Sequence, residues 1–105
     1  MQPLYEVRTT FGSQKDAQVV GARLVGERLA ACAQVVPGLT SIYTWEGQMR
    51  SDSEVLLILK TSEQVWPALR DRLAELHPYD TPEIIAMQVD QASFPYANWV
   101  RENTE

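Results

Sequence analysis

The chain has 105 residues, 45% hydrophobic and 22% charged, which are ordinary proportions for one soluble globular domain, here residues 1–105. A formal net charge of −5 and only nine scattered basic residues argue against nonspecific nucleic-acid binding, which depends on clustered Lys and Arg. One cysteine excludes an intrachain disulfide, no apolar run approaches the ~18 residues of a membrane span, and no secretory signal is recognisable, so we expect a cytoplasmic protein without nucleic-acid or membrane partners.

A strand and a helix are predicted at the start of the chain. Residues 4–10 alternate between two sets of side chains with the period of two that is typical of a strand. Ser13 then offers a helix start, because its hydroxyl can accept a hydrogen bond from a free backbone N–H. Apolar residues recur every three or four positions from there to about Ala31, which predicts an amphipathic helix in which Gly21 and Gly26 permit close packing on a sheet.

Two long extended segments form the centre of the chain. In residues 33–45, β-branched and aromatic side chains follow a period of two, and the interruption at Pro37-Gly38 predicts a bulge or a change of sheet. Residues 55–60 form a continuous apolar run that ends in Lys60, as expected of a strand covered on both faces. The polar residues 47–53 are predicted to be the turn between the two strands.

The second half of the chain predicts another helix, a strand and a short terminal helix. Residues 61–64 have the composition of a capping box ahead of apolar residues at helical spacing, and residues 83–89 are predicted to be a strand. Ser93 is predicted to cap a short helix with Pro95 in its first turn. The predicted order is β-α-β-β-α-β plus a C-terminal helix. This is the α+β, ferredoxin-like split βαβ fold, with two helices on one face of a four-stranded antiparallel sheet.

The length of the central hairpin predicts an oligomer. A strand of ~13 residues extends about 43 Å at ~3.3 Å per residue, whereas a compact domain of this length is about 33 Å across. The hairpin should therefore project beyond the domain and carry Tyr43 and Trp45 along a free strand edge. Because free edges of this kind invite aggregation unless they are covered, we expect strand pairing between subunits.

Four segments, in this order and at this spacing, resemble the CutA family of divalent-cation tolerance proteins: LAACAQVVPGLTSIYTWEG, VLLILKT, ELHPYDTPEII and YANWV. The resemblance covers nearly the whole chain. It implies a ferredoxin-like subunit, a tight homotrimer built by pairing long strands between subunits, and an architecture similar to that of the PII nitrogen-signalling proteins. Because the family was named for copper tolerance, the resemblance also implies a divalent metal such as copper as the cofactor or ligand.

His77, the only histidine, is the first candidate metal ligand, with Glu83 as an acidic contact. For CutA relatives the resemblance implies a copper site made of a strand-end cysteine and a histidine pair before Pro-Tyr. Those positions hold Thr9 and Leu76-His77 in this chain, so one imidazole remains and only weak metal binding is expected. Two alternatives stay open for His77: a helix-terminal histidine bonded to the backbone, or a general base. Cys32 lies among small apolar residues, which favours an inert thiol over a metal ligand.

Four further residues are candidates for a ligand cleft between subunits: Trp45, Glu46, Lys60 and Tyr79. Lys60 ends one apolar strand, and Glu83 begins the strand that is expected to lie near it in a split βαβ fold. An anion would meet Lys60, and a cation would meet Glu83 and Glu46. A structural ion pair with aromatic packing is the alternative explanation for the same residues.

The sequence predicts no catalytic residue. It lacks a Gly-rich phosphate loop, a C-x-x-C pair, an H-E-x-x-H motif and a nucleophile elbow, and a catalytic triad could form only around its single histidine. The expected function is that of a non-enzymatic homotrimer linked to divalent-metal homeostasis. The alternative is a PII-like signalling or scaffold trimer that binds a small metabolite in the intersubunit cleft, which is an analogy of architecture alone.

Overall fold

Four strands and three helices follow one another in the predicted order within residues 2–104, the part of the chain that the structure, a computed structural model, describes. The strands are β1 (Leu4–Phe11), β2 (Cys32–Trp45), β3 (Gln48–Ser62) and β4 (Ile85–Val89). The helices are α1 (Gln14–Gly26), α2 (Trp66–Leu76) and α3 (Phe94–Glu102). The strands form one antiparallel sheet in the order β2-β3-β1-β4, so the predicted ferredoxin-like α+β fold is confirmed. None of the helices in this part of the chain is long and apolar enough to cross a membrane.

The main core lies between the sheet and the helices α1 and α2. Because side chains alternate across a strand, every second residue of β1 and β3 points towards these helices. The fully buried apolar residues at those positions are Val7, Phe11, Leu57 and Leu59. Helix α3 packs instead around Leu4. Because Leu4 and Val7 are an odd number of residues apart in β1, their side chains point to opposite faces of the sheet, so α3 covers one end of the face opposite the main core.

Helix α1 approaches the sheet closely at Gly21. A Cβ atom at this position would lie 3.2 Å from both the Ala33 Cβ and the Leu57 Cδ1 atoms. These distances are shorter than ordinary van der Waals contacts, so the absence of a side chain lets the helix pack directly on β2 and β3. The close packing predicted at Gly21 is therefore present. The same prediction is wrong at Gly26, where a Cβ atom would meet nothing within 4 Å.

Helix α1 ends earlier than predicted. It stops at Gly26 rather than near Ala31. Arg28 adopts a left-handed conformation with φ +62°, and the Leu29 N–H donates to the Leu24 carbonyl at 3.0 Å, which closes the last turn. The apolar pattern continues past this point because Leu29 and Ala31 pack against the two cores without being helical.

The polar residues predicted to form a turn belong mostly to a strand. Strand β3 begins at Gln48, and only Glu46 and Gly47 connect it to β2. Both have positive φ angles, +52° and +78°, as required by the two-residue turn that matches the twist of a hairpin. The prediction was wrong here because both faces of this part of β3 are exposed, so no apolar alternation distinguishes it from a loop.

Helix α2 begins later than the predicted capping box. Thr61 and Ser62 are the last residues of β3, and the Thr61 hydroxyl donates to the Leu29 carbonyl at 2.8 Å instead of capping a helix. The helix starts at Trp66, with Pro67 in its first turn. A proline is tolerated there because the missing N–H would have no partner within the helix.

Strand β4 is shorter than the predicted strand over residues 83–89. It begins at Ile85, which pairs with Arg8 of β1, and no later residue of β1 has a partner in β4 among the described residues. Glu83 therefore lies in the loop before the strand, where its side chain does not follow the alternation of the sheet.

The interruption predicted at Pro37-Gly38 is a bulge in β2. Val36 pairs with Leu56 and Leu39 pairs with Glu54, so two residues of β2 oppose one residue of β3. Gly38 has a φ of +87°, a conformation that residues with a side chain adopt only with strain. The bulge absorbs one residue. Before the bulge, even-numbered residues of β2 pair with even-numbered residues of β3. After the bulge, odd-numbered residues of β2 pair with even-numbered residues of β3.

Two buried threonines on the core side of the sheet give a first stability prediction. Both are fully buried, but the Thr61 hydroxyl donates to the Leu29 carbonyl, whereas the Thr9 hydroxyl has no hydrogen-bond partner within residues 2–104. Thr9→Val should raise the free energy of unfolding by about 1 kcal/mol, and Thr61→Val should lower it by about 1–2 kcal/mol. Denaturation of the two isosteric variants at one protein concentration measures both changes, and changes of the same sign would contradict the assignment.

Candidate functional site

A cavity of about 670 Å³ lies between the outer part of the β2–β3 hairpin and the segment that follows α2. Three aromatic residues line it: Tyr43, Trp45 and Tyr79. Four carboxylates and one guanidinium also line it: Asp52, Glu54, Asp80, Glu83 and Arg50. The cavity therefore combines apolar rings with acidic groups, in a volume that is ordinary for a small-molecule site.

The bulge in β2 determines which hairpin side chains reach this cavity. Beyond the bulge, Ser41 pairs with Asp52 and Tyr43 pairs with Arg50, and paired residues lie on the same face of the sheet. If the register before the bulge continued, Ile42 would pair with Arg50, and Tyr43 would lie on the opposite face. The bulge thus brings the aromatic residues of β2 and the charged residues of β3 to one surface.

Two tyrosines donate their hydroxyl hydrogens to carboxylates of the cavity. Tyr43 Oη donates to Asp52 Oδ2, and Tyr79 Oη donates to Glu54 Oε2 at 2.7 Å. The hydrogen bond to Asp52 raises the pKa of Tyr43, and burial together with the bond to Glu54 raises the pKa of Tyr79. Both phenols therefore stay protonated, and each holds one carboxylate in place.

His77 is buried beside the cavity and is bonded to the backbone through both ring nitrogens. Its Nε2 donates to the Thr10 carbonyl at 2.8 Å, and its Nδ1 accepts the Tyr79 N–H at 3.2 Å. Because a carbonyl oxygen can only accept, these partners assign the neutral tautomer with hydrogen on Nε2. The ring stacks on Phe11, with the centroids 4.3 Å apart, and burial lowers the pKa of His77. His77 therefore fastens the connection between α2 and β4 to the end of β1.

The cavity brings together three of the six residues proposed from the sequence: Trp45, Tyr79 and Glu83. Glu46 occupies the hairpin turn and is not part of the cavity lining. Lys60 lies elsewhere, since its Nζ donates to Gln34 Oε1 at 2.8 Å and is 4.0 Å from the Glu6 carboxylate. The expected proximity of Lys60 to the start of the last strand is wrong, because β1 lies between β3 and β4.

The residues present do not fit a transition-metal site of the kind that the resemblance implies. Within residues 2–104, no group of three or more His, Cys, Asp or Glu side chains is placed to hold a metal ion. The strand-end position holds Thr9, which is fully buried, and both nitrogens of His77 are used by the backbone. Cys32 pairs with Lys60 in the sheet and is not part of the cavity lining. The carboxylates that line the cavity are the donors that remain for a cation, and within residues 2–104 no three of them converge on one point.

Sequence reasoning missed the charged residues that β3 contributes to the cavity. Arg50, Asp52 and Glu54 alternate along β3, but Arg50 and Asp52 lie in the stretch 47–53 that is predicted to be a turn, and Glu54 lies between that stretch and the predicted strand over residues 55–60. The signal that could find them is the dipeptide Glu46-Gly47, since a two-residue turn at this point continues β3 outward. The period of two would then place all three side chains on one face.

Comparisons with known proteins identify the family of the chain. The CutA1 family model, described as CutA1 divalent ion tolerance protein, matches residues 5–103. A Thermus thermophilus protein named divalent-cation tolerance protein CutA is 46% identical over 98 residues, which are 93% of this chain and 95% of that protein. The human Protein CutA is 45% identical over 96 residues, which are 91% of this chain and 54% of that protein, so the chain spans about half of this relative.

The solved structures lead to the same family. The structure of a divalent cation tolerance protein, Cut A1, from Thermus thermophilus matches with a TM-score of 0.93 and 44% sequence identity, over 97% of this chain and 99% of that chain. The family match covers most of the chain, and the relatives are similar in both sequence and fold. The chain therefore belongs to the CutA1 divalent ion tolerance protein family.

Proposed function

We propose that this is a non-enzymatic divalent-cation tolerance protein that acts as a homotrimer and binds divalent cations weakly through the carboxylates of the hairpin cavity. The observation that carries the proposal is the acidic lining of this cavity, four carboxylates against one guanidinium, in a chain of this family. The name of the Thermus thermophilus relative, divalent-cation tolerance protein, supports the same role here. Excess negative charge concentrates cations, and carboxylate oxygens are the ligands that hard divalent ions prefer.

The donor set favours hard cations over copper. Oxygen ligands suit Mg²⁺, Ca²⁺ and Mn²⁺, whereas imidazole and thiolate are the ligands that bind copper best. Because His77 is engaged with the backbone, copper would meet only oxygen atoms such as those of Glu54 and Glu83, and we expect it to bind weakly. Glu83 keeps the metal-binding role proposed from the sequence, and His77 supports the wall of the cavity instead.

The long hairpin supports the homotrimer. The structure extends 45 Å along its longest axis and 25 Å along the next, and the outer residues of β2 and β3 are exposed. Strand β2 forms one edge of the sheet, and its outer side has no partner within residues 2–104. Large apolar side chains stay exposed along the hairpin: Ile42, Tyr43, Trp45 and Met49. Pairing of this edge with another subunit would cover its backbone groups together with Ile42 and Met49, which lie on the sheet face opposite Tyr43 and Trp45.

Calorimetric titration of the purified oligomer with Mn²⁺, Zn²⁺ and Cu²⁺ tests the metal-binding part. We expect saturable binding with dissociation constants of about 0.1–1 mM, as for oxygen-ligand sites that are not rigidly formed. Glu54→Gln and Glu83→Gln should each weaken binding by about threefold to tenfold, because each removes one charged ligand.

Glu75→Gln is the matched control for this titration. It removes the same charge from α2, where the Glu75 side chain is 66% exposed and outside the cavity lining. Its metal affinity should equal that of the wild type. If a folded His77→Gln variant lost binding while Glu54→Gln and Glu83→Gln kept it, the carboxylate site would be refuted in favour of an imidazole site.

The aromatic side of the cavity favours a second function, a signalling or scaffold trimer that binds a small metabolite. Tyr43, Trp45 and Tyr79 line the cavity beside the carboxylates, and a bare metal ion would make no use of these rings. The similarity of architecture to the PII proteins points the same way, as an analogy only. In this version the cation-binding carboxylates orient an organic ligand.

Neither proposed function includes a catalytic residue, because the hydrogen-bond partners of His77 are backbone groups and not a second titratable side chain.

Cytoplasmic localisation stays a prediction, since a relative from Oryza sativa is named as chloroplastic and one from Archaeoglobus fulgidus as periplasmic.

A further inference from the structure

We infer that the hairpin cavity binds a small organic cation, an ammonium or guanidinium group attached to a short apolar body. The inference names the ligand class for the metabolite-binding function proposed above, and it rests on that function. Three properties of the lining support it: its net charge, its excess of hydrogen-bond acceptors over donors, and its exposed aromatic rings.

The charge of the lining selects against anions. Its charged side chains are mostly acidic: Asp52, Glu54, Asp80 and Glu83, against Arg50. A ligand with a carboxylate or phosphate group would meet net repulsion, because protein walls focus the field of the charges that line a cleft. Lys60, the side chain expected to receive an anion, is bonded to Gln34 and lies outside the cavity. Electrostatic complementarity therefore requires a cationic ligand.

The hydrogen-bonding capacity of the cavity is mostly acceptor capacity. Arg50 and the Trp45 indole are donors of the lining. Tyr43 and Tyr79 add none for a ligand, because each already donates its hydroxyl hydrogen, to Asp52 and Glu54 respectively. An ionised carboxylate has about four lone-pair sites, so one bond from a tyrosine leaves most of its acceptor capacity open. A ligand that brings several N–H donors matches this lining. Ammonium and guanidinium groups are such ligands.

The aromatic rings explain why the expected ligand is organic and not a bare ion. Tyr43, Trp45 and Tyr79 are 40%, 45% and 38% exposed and lie beside the carboxylates. A cation over an aromatic face is attracted by the ring, and an apolar group covers ring surface that would otherwise contact water. The cavity volume of about 670 Å³ leaves space for such a group.

Benzylamine, benzyl alcohol and benzoate test the ligand class, because the three compounds share one ring and differ in charge. Each is titrated near neutral pH against the ¹⁵N-labelled chain in its native oligomeric state, and the indole N–H signal of Trp45 is followed. We expect saturable shifts with benzylamine and affinities at least about tenfold weaker for the other two compounds. The indole signals of Trp66 and Trp99 serve as internal references, since neither residue lines the cavity.

Two substitutions locate the cation within the cavity. Glu54→Gln and Asp52→Asn should each weaken benzylamine binding by about tenfold, because each replaces a charged acceptor by a neutral group. Glu75→Gln should leave it unchanged. The amide spectrum of each variant verifies its fold, so the failure of one variant to fold leaves the other as the test. Benzylamine binding that survives both substitutions in folded protein would overturn the inference.

Parallel titrations with Mn²⁺ separate this inference from the functions on which it builds. Benzylamine binding that persists in the presence of EDTA supports an organic-cation site whether or not Mn²⁺ binds. Binding of benzoate or benzyl alcohol as tight as that of benzylamine overturns the ligand class and keeps the metabolite-binding function. A response to Mn²⁺ alone, seen as broadening of the Trp45 indole signal because this ion is paramagnetic, overturns the metabolite-binding function and keeps the metal proposal. No change of this signal with any probe overturns all of these.

Discussion

Replacing Phe11 with alanine is expected to lower the free energy of unfolding by about 3–5 kcal/mol. Phe11 ends β1, is fully buried, and stacks on the His77 ring with 14° between the two planes. The truncation would leave a cavity in the main core and remove the ring that supports His77. Urea denaturation followed by circular dichroism measures the change, at a fixed protein concentration because assembly links stability to concentration.

Phe94→Ala is the matched control for this experiment. Phe94 begins α3 and is 62% exposed, so the same truncation should change the free energy of unfolding by less than about 0.5 kcal/mol. If Phe11→Ala were no more destabilising than Phe94→Ala, the packing of β1 into the main core would be contradicted.

Replacing His77 with alanine is expected to lower the free energy of unfolding by about 2–4 kcal/mol at neutral pH. The substitution removes the stacking on Phe11 and leaves the Thr10 carbonyl and the Tyr79 N–H without their present partner. The connection between α2 and β4 should loosen first, because His77 fastens it to β1. Faster amide exchange at Tyr79 in the variant would report this loosening directly.

His77 also makes the stability of the wild type sensitive to acid. Burial lowers the pKa of its ring, although the bond to the Thr10 carbonyl and the charges of Glu54 and Asp16 act in the opposite direction. The folded chain therefore takes up this proton less readily than the unfolded chain, in which the pKa of histidine is about 6.5. The stabilisation is complete above about pH 6.5, and it is lost progressively as the pH falls from there through the lowered pKa of the folded state.

Denaturation curves recorded between about pH 7.5 and pH 5 measure this dependence. Because His77 is the only histidine, a loss of stability in this range is assigned to it, whereas most carboxylates titrate at lower pH. The slope should disappear in His77→Ala. An equal slope in the wild type and the variant would place the titrating group elsewhere.

The order of the strands and helices could be predicted because an element with one face against the core has apolar residues at a regular spacing along the sequence. Val55, Leu57 and Leu59 in β3 and the helical spacing of Leu69 and Leu73 in α2 are of this kind, and these residues belong to the main core. The same reasoning fails where water contacts both faces, as it does from Gln48 outward, since no side chain there has to be apolar. It also fails at Arg28, where backbone geometry ends a helix within an unbroken apolar pattern.

Only part of the candidate site could be predicted, for a similar reason. Trp45, Tyr79 and Glu83 belong to segments that the family resemblance identifies, and they do line one cavity. The prediction that Lys60 lies near Glu83 is wrong because the neighbours of a strand depend on the order of strands in the sheet, and the periodicity of side chains does not reveal that order. The partners of His77 are backbone groups of distant residues, and no pattern of side chains reveals them.

At the bulge Pro37-Gly38, deleting one residue should disturb the register of β2 less than substituting one, although deletions in a strand are usually the more disruptive change. Removing one of its two residues would straighten β2 and still leave Tyr43 opposite Arg50, because the outer register is fixed from the hairpin turn. Replacing Gly38 with a residue that has a side chain strains its positive φ and therefore favours a strand without the bulge. Since the strand keeps its length, its outer part then shifts by one position against β3, and Tyr43 turns away from the cavity. At this point of the chain a deletion is the conservative change and a substitution is the radical one.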